Sequence, residues 1–269
     1  MTGEEKPKSH GRLSVTASLK PRDLMAEVPR LKGAWTARII TLFPEAFPGT
    51  LGLSLTGKAL AEGLWQLETI PLRPFGVGKH RNVDDTPAGG GAGMVLRADV
   101  VGNAFDQAAI GTPPDRTKWP VVYLSPRGKP FDQAVARRWA RAQGITMLAG
   151  RFEGVDQRVL DHYAVEEVSL GDFVLSGGEI AAQAMLDAVV RLLPGVLGNA
   201  ASTEEESHSH GLLEHSQYTR PALWEGREIP PVLMSGHHGE IEKWRRSEAE
   251  RLTQDKRPDL WALYSAKTR

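Results

Sequence analysis

Three short turns in this 269-residue chain carry the groups that hold a polar small molecule: bare backbone, a hydroxyl and single carboxylates. They are Tyr123-Leu124-Ser125-Pro126, Gly150-Arg151-Phe152-Glu153-Gly154 and Leu170-Gly171-Asp172-Phe173-Val174-Leu175-Ser176-Gly177-Gly178. Each follows a short apolar run. In open α/β sheets ligands bind at the carboxyl ends of the strands, so the three turns are expected to share one pocket. A fourth segment, His80-Arg81-Asn82-Val83-Asp84-Asp85-Thr86-Pro87, runs into Gly89-Gly90-Gly91-Ala92-Gly93. It sets acids, bases and an imidazole beside flexible backbone. It reads either as an ordinary solvated loop or as a loop whose bare backbone lies against a ligand.

Other patterns are weaker. Gly52-Leu53-Ser54-Leu55-Thr56-Gly57-Lys58-Ala59 almost spells a phosphate-binding loop, but Ala59 has no hydroxyl for magnesium. A P-loop nucleotidase built on it is the poorest of the functional readings. The glycines at 89–93 have the wrong spacing for a dinucleotide fingerprint. Five histidines (His208, His210, His215, His237 and His238) fall in the last third, too loosely spaced to complete a tetrahedral zinc site. Glu204-Glu205-Glu206 reads by itself as a solvated charge run. With no cysteine in the chain, disulfides, thiolate-bound metal and thiol catalysis are excluded.

The elements that must position these turns alternate. Arg38 to Phe43, Val121 to Leu124, Ile145 to Leu148 and Glu166 to Ser169 read as buried strands. Thr56 to Gly63, Phe131 to Ala142 and Val155 to His162 read as helices, and Ser125 to Pro130 as a turn cluster. Strands alternating with helices imply an α/β fold with a mostly parallel sheet covered on both faces. Ser176-Gly177-Gly178-Glu179 fits a capping box opening a helix from Glu179 to Leu193, apolar nearly all round. Such a helix is expected in a core or between subunits. Residues 1–34 are polar and rich in Pro and Lys, which reads as a flexible arm. Residues 198–210 read as a mobile linker, and a basic helix is expected from Gly239 to Leu252.

Composition sets the outer bounds. Hydrophobic residues are 41% and charged residues 25%, an ordinary globular mix. Lys plus Arg and Asp plus Glu are 33 each, so nucleic acid would have to be met by local rather than bulk positive charge. The most apolar stretch, Ala188 to Leu197, is interrupted by Arg191 and Pro194 and is far short of the roughly 20 residues a membrane helix needs. The first residues have no apolar stretch of the secretory kind. A soluble, cytoplasmic chain with no membrane partner is expected.

Read in order, several long segments resemble one family, the bacterial tRNA (guanine-N1)-methyltransferases of the SPOUT superfamily. The resemblance is carried by LFPEAF (Leu42 to Phe47), HRNVDDTPAGGGAGM (His80 to Met94), YLSPRG, GRFEGVDQRV, SLGDFVLSGGE, RLLPGVLGN, GLLEHSQYTRP (Gly211 to Pro221) and PPVLMSGHHGEIEKWR (Pro230 to Arg245). It runs from Ile39 to about Leu260 and leaves the N-terminal arm outside.

The resemblance implies an α/β domain over 35–197 whose C-terminal part is threaded into a trefoil knot, an exception to the rule against threaded chains. It implies a linker over 198–210, a small helical tRNA-binding domain over 211–269, and a homodimer. The activity implied is methyl transfer from S-adenosylmethionine to N1 of the guanosine immediately 3′ of the anticodon. The alternative is an RNA-binding module of the same fold without catalysis.

The cofactor loops of the family match Tyr123, Leu124, Ser125 and Pro126; Gly150, Phe152, Glu153 and Gly154; and Leu170, Gly171, Asp172, Phe173, Val174, Leu175, Gly177 and Gly178. By the same matching, Glu206 is the base and Arg191 the group that stabilises charge. Glu206 stands where the best-known members carry Asp, which leaves Glu205 as a substitute. His80, Asp84 and Arg220 fall on substrate-side segments. Magnesium dependence, a family trait, would place a weakly held Mg²⁺ at Glu153; no other metal is implied. Gly239 to Arg257 holds six Lys/Arg against five acids, so a positive tRNA-facing surface there requires segregation around the helix. Trp244 and Trp261 either stack on bases or pack, packing being the commoner use.

Overall fold

The computed structural model describes residues 33–197, 207–208 and 211–268. The N-terminal arm and most of the linker, with Glu204, Glu205, Glu206 and His210, lie outside the described residues.

Five parallel strands form one sheet in the order β2-β1-β6-β5-β7. They are β1 (Trp35–Thr41), β2 (Trp65–Pro71), β5 (Val121–Pro130), β6 (Gly144–Leu148) and β7 (Glu166–Ser169). The helices between them are α1 (Ser54–Ala61), α2 (Ala98–Ala109), α3 (Gln133–Ala140), α4 (Gln157–His162) and α5 (Glu179–Val190). A two-stranded ribbon, β3 (Asp84–Asp85) with β4 (Val95–Leu96), borders the glycine segment. The α/β class and the parallel sheet expected from the alternation of apolar runs are both present.

The period-2 alternation of the strands divides the core in two. Ala37, Ile39, Val122, Ile145 and Met147 pack with Ala136 and Trp139 of α3 and with Ala182, Met185, Leu186 and Val189 of α5. Ile40, Val121, Tyr123 and Leu148 pack on the opposite face with Val101 and Phe105 of α2 and with Val159 and Leu160 of α4. Buried on both faces, β6 and the first half of β5 read as continuous apolar runs.

Two local expectations need correction. Ser125 to Pro130 is not a turn that ends its strand: β5 continues to Pro130 and rejoins β7 after a register shift between Leu124 and Lys129. The bulge lets backbone pass close, since a Cβ at Gly128 would lie 2.3 Å from the Val168 nitrogen. Nor does the capping box form. The N-cap of α5 is Gly178, with no side-chain cap, and the helix ends at Val190 rather than Leu193. The Glu179 carboxylate turns inward instead and accepts from Thr41 Oγ1 at 2.8 Å and from Arg151 Nε at 2.9 Å.

Beyond Val196 neither apolar cluster draws a described residue. The later elements are a small hairpin, β8 (Leu223–Trp224) with β9 (Arg227–Glu228), and the helices α6 (Pro231–Met234), α7 (His238–Lys256) and α8 (Pro258–Thr268). Trp244 lies against His215 and Tyr218 with ring centroids 6.2 and 6.1 Å apart, and Trp261 against Tyr264 at 5.7 Å.

Candidate active site

The carboxyl end of the sheet holds a cavity of about 310 Å³, at the lower end of the range for small-molecule sites. The bulged part of β5 and the loops after β6 and β7 all border it. Of the sixteen positions matched to cofactor loops, fifteen line the cavity; Asp172 does not. A tight turn, with Phe173 N–H donating to the Gly171 carbonyl at 2.9 Å, leaves Asp172 exposed to solvent.

Tyr123, at the end of the apolar part of β5, is buried under the loop after β6. A Cβ on Gly150 would sit 2.6 Å from its ring and one on Gly154 3.5 Å from its hydroxyl. Burial pushes the Tyr123 phenol up from its ordinary value, and the nearby Arg127 guanidinium only partly opposes this. The hydroxyl therefore remains a neutral donor at physiological pH. Ser125, also buried, accepts from Arg127 N–H at 3.2 Å. Arg127 in turn clasps Glu167 at 3.0 Å, which joins the bulge of β5 to β7.

The loop after β6 carries backbone that most residues avoid. Phe152 has φ +61° with its ring 51% exposed, and Phe173 and Val174 add apolar surface across the opening at 54% and 83% exposed. A left-handed phenylalanine is held only where its surroundings overdetermine it, and such positions cluster at ligand sites. The loop after β7 returns to meet it: Gly178 N–H donates to the Gly150 carbonyl at 2.9 Å, and a Cβ there would stand 2.8 Å from Ala149 Cα. No residue but glycine fits that approach.

The glycine segment adjoins the same site. Glu153 N–H donates to the Met94 carbonyl and Leu96 N–H to the Gly154 carbonyl, both at 2.9 Å. Gly93, at φ +87°, lies so close to Glu153 that a Cβ would fall 2.4 Å from its Cγ. Gly89 to Gly93 are all exposed, and a Cβ on Gly89 or Gly90 would meet nothing within 4 Å, so only the Gly93 end of the segment lies against a site loop. Asp84 pairs with Leu96 in the ribbon, which attaches it to the cavity rim. Arg97 bridges Asp85 at 3.1 Å and Asp99 at 2.9 Å, and its hydrogen bond holds the Asp99 carboxyl below the usual carboxylate range.

The remaining predicted residues stand apart from the cavity. His80 and Arg220 are exposed and do not line it. Arg191 caps the C-terminus of α5, half-buried, with its N–H on the Asp187 carbonyl at 3.2 Å, and is likewise absent from the cavity wall. Glu206 lies outside the described residues. Among the described residues no three His, Asp or Glu side chains gather as metal ligands. The near-P-loop is ordinary packing: the α1 glycine Gly57 lies on the Gly52 carbonyl, 2.1 Å from where its Cβ would be, and Lys58 faces Glu62 at 3.7 Å. The resemblance did not single out Arg151, a wall side chain that bonds both Glu179 and the Ser176 carbonyl. Its signal in sequence was a lone guanidinium inside a glycine-bounded turn.

A parallel α/β sheet with glycine-bearing loops closing on one cavity at its carboxyl edge defines a small-molecule-binding α/β domain. More narrowly, this chain belongs to the tRNA (Guanine-1)-methyltransferase TrmD family, whose family model matches residues 36–263. Relatives named tRNA (guanine-N(1)-)-methyltransferase run along almost their whole length beside it. The one from Cereibacter sphaeroides is 76% identical over 236 residues, covering 88% of this chain and 95% of the relative. That from Ruegeria pomeroyi is 67% identical over 242 residues, covering 90% and 98%. That from Brucella suis is 55% identical over 241 residues, covering 89% and 96%.

Proposed function

We propose that this chain is a tRNA (guanine-N1)-methyltransferase that takes its methyl group from S-adenosylmethionine and modifies the guanosine immediately 3′ of the anticodon. The observation that carries the reading is the convergence of the β5 bulge and two strand-end loops on one cavity in a chain of this family. The wall suits the donor. Backbone at Gly150, Gly154, Gly171 and Gly177 offers hydrogen-bond groups to a ribose and an amino-acid tail, and Leu124, Leu170 and Leu175 offer apolar contact to an adenine. When bound, S-adenosylmethionine supplies an electrophilic methyl group on a positively charged sulfur.

The chain's own residues supply the acid–base chemistry. Guanine N1 carries a proton at neutral pH and is a poor nucleophile while it does. Glu206 accepts that proton, which leaves the N–H electron pair on the ring to form the new N–C bond, while the electrons of the broken methyl–sulfur bond would stay on the sulfur and leave a neutral thioether. Negative charge builds on O6 as the proton departs, and the Arg191 guanidinium stabilises it. His80, Asp84 and Arg220 meet the tRNA. Magnesium at Glu153 finds no ligand set among the described residues, so no step is assigned to it.

A trefoil knot and a homodimer belong to the same proposal. Support for the knot is the return of residues 170–178 against the loop after β6, with Gly178 seated on Ala149. Support for the dimer is the exposure of three large apolar side chains, Leu53 and Leu55 at the start of α1 and Ile180 on α5. The thirteen helical rises from Gly178 to Arg191 span about 20 Å, so a second copy is the natural source of an Arg191 near this cavity. The helices α6 to α8 form the tRNA-binding C-terminal unit. No described helix is long and apolar enough to cross a membrane, which accords with a tRNA enzyme of the cytoplasm.

The test is transfer of a tritiated methyl group onto tRNA transcripts that differ only at the target guanosine. Label appears with guanosine and not with adenosine at that position. Label that ignores the base, or its absence with every transcript, contradicts the reading; the latter result leaves the non-catalytic module.

A further inference from the structure

Glu179 opens α5 with its side chain 4% exposed, and two distant stretches of chain, at Thr41 and Arg151, place donors on its carboxylate. Thr41 Oγ1, at the end of β1, donates to one oxygen at 2.8 Å, and the same hydroxyl accepts from Phe43 N–H at 3.0 Å. Arg151, from the loop after β6, places Nε and a terminal nitrogen on the other oxygen, each at 2.9 Å. The remaining nitrogen of Arg151 donates to the Ser176 carbonyl at 3.3 Å, in the loop after β7. The Phe43 ring lies 4.4 Å from the guanidinium carbon. The site is built to admit that side chain: a Cβ on Gly177 would stand 2.2 Å from Arg151 Nε.

All three guanidinium nitrogens of Arg151 are therefore engaged within the protein, and a ring lies over the group. The side chain borders the cavity but is committed to its walls. A charge pair this deeply buried persists only with its hydrogen bonds satisfied, and these satisfy Arg151 through two of the three cavity loops.

We infer that Arg151 and Glu179 are positioning residues: their ion pair sets the spacing of the loops after β6 and β7 and thereby shapes the donor cavity. The inference rests on the reading of that cavity as the S-adenosylmethionine site. Neither residue touches the reacting atoms. Displacing two walls by a fraction of an ångström weakens donor binding, because ligand geometry is set by the loops they hold.

The experiment titrates S-adenosylmethionine calorimetrically into the full-length protein and three variants, Arg151→Lys, Glu179→Gln and the double variant R151M/E179Q, with thermal melting measured on each. The double variant leaves no unpaired buried charge, which removes the largest cost that a single substitution of the pair carries. The donor dissociation constant is expected to rise about tenfold in the double variant. A smaller rise is expected in Arg151→Lys, which keeps the charge without the fork. The Michaelis constant for tRNA is expected to stay nearly constant. If the folded double variant binds the donor as the parent does, the inference is overturned. The same holds if melting temperature falls while donor affinity does not, since that is the mark of a merely structural pair. Should the double variant fail to fold, Arg151→Lys decides by the same two criteria. A parent protein that binds no donor overturns the cavity reading itself, which separates the two failures.

Discussion

At the scale of single residues the proposed chemistry turns on one carboxylate, Glu206, and one guanidinium, Arg191. Removing either should leave donor binding intact and stop transfer. Arg191→Ala is expected to lower the transfer rate at saturating substrates by about 10²–10³-fold. Glu206→Gln is expected to lower it by about 10²–10⁴-fold. In both, the dissociation constant for S-adenosylmethionine should match the parent's, which calorimetry would check. A full rate in Glu206→Gln would shift the base to Glu205 or remove this role from the linker. Glu206→Asp should retain most of the rate, because one methylene is a displacement that a linker segment can absorb.

At the scale of elements, Gly93 is the test of how the glycine segment serves the site. Its φ of +87° and the nearness of Glu153 mean that Gly93→Ala introduces about 1–2 kcal/mol of backbone strain and displaces the Glu153 side chain. A raised Michaelis constant for the donor with only a modest fall in melting temperature is expected. Leu186, fully buried on α5 against the sheet, gives the contrasting case. Leu186→Ala should cost about 2–5 kcal/mol in a urea titration.

Helix α7 supplies a pH signature. Arg251 hydrogen-bonds Glu248 and pulls its carboxyl from 4.5 down to about 2, while Ser216 Oγ donates to it at 2.9 Å. Because the folded-state value lies below the unfolded one, the stabilisation is fully present above about pH 4.5 and is lost as pH falls towards 2. The effect is small, since Arg251 is largely exposed. Acid unfolding of Glu248→Gln, followed by circular dichroism, should be flatter across that window than that of the parent.

What was legible in sequence follows from the same physics. β1, the start of β5 and β6 announced themselves as β-branched and apolar runs because a doubly covered parallel strand has no polar face. β2, WQLETIP, did not: it is an edge strand whose middle is only half-buried, so Gln66, Glu68 and Thr69 mask its period. α2 was hidden by Gly102 and Asn103 within ADVVGNAFDQAA, although its buried Val100, Val101, Ala104 and Phe105 form one face. The cavity loops were readable because glycine and turn chemistry mark where strands end. The inward turn of Glu179 was not, since its partners Thr41 and Arg151 are 138 and 28 residues away and no local rule connects them.

On the scale of the whole molecule, two apolar clusters on either face of one sheet leave its carboxyl edge as the place where loops from β5, β6 and β7 can meet. A net charge of zero leaves tRNA recognition to local surface, so binding should weaken with salt by fewer ionic contacts than a strongly basic protein shows. The central claim is the occupant of that edge, and a crystal structure of the full-length protein with S-adenosylhomocysteine addresses it most directly. The account predicts the ligand between Tyr123–Pro126, Gly150–Gly154 and Leu170–Gly178, beside a phenol of Tyr123 that stays neutral. A ligand bound elsewhere, or those three loops closed on one another with no ligand between them, would contradict it.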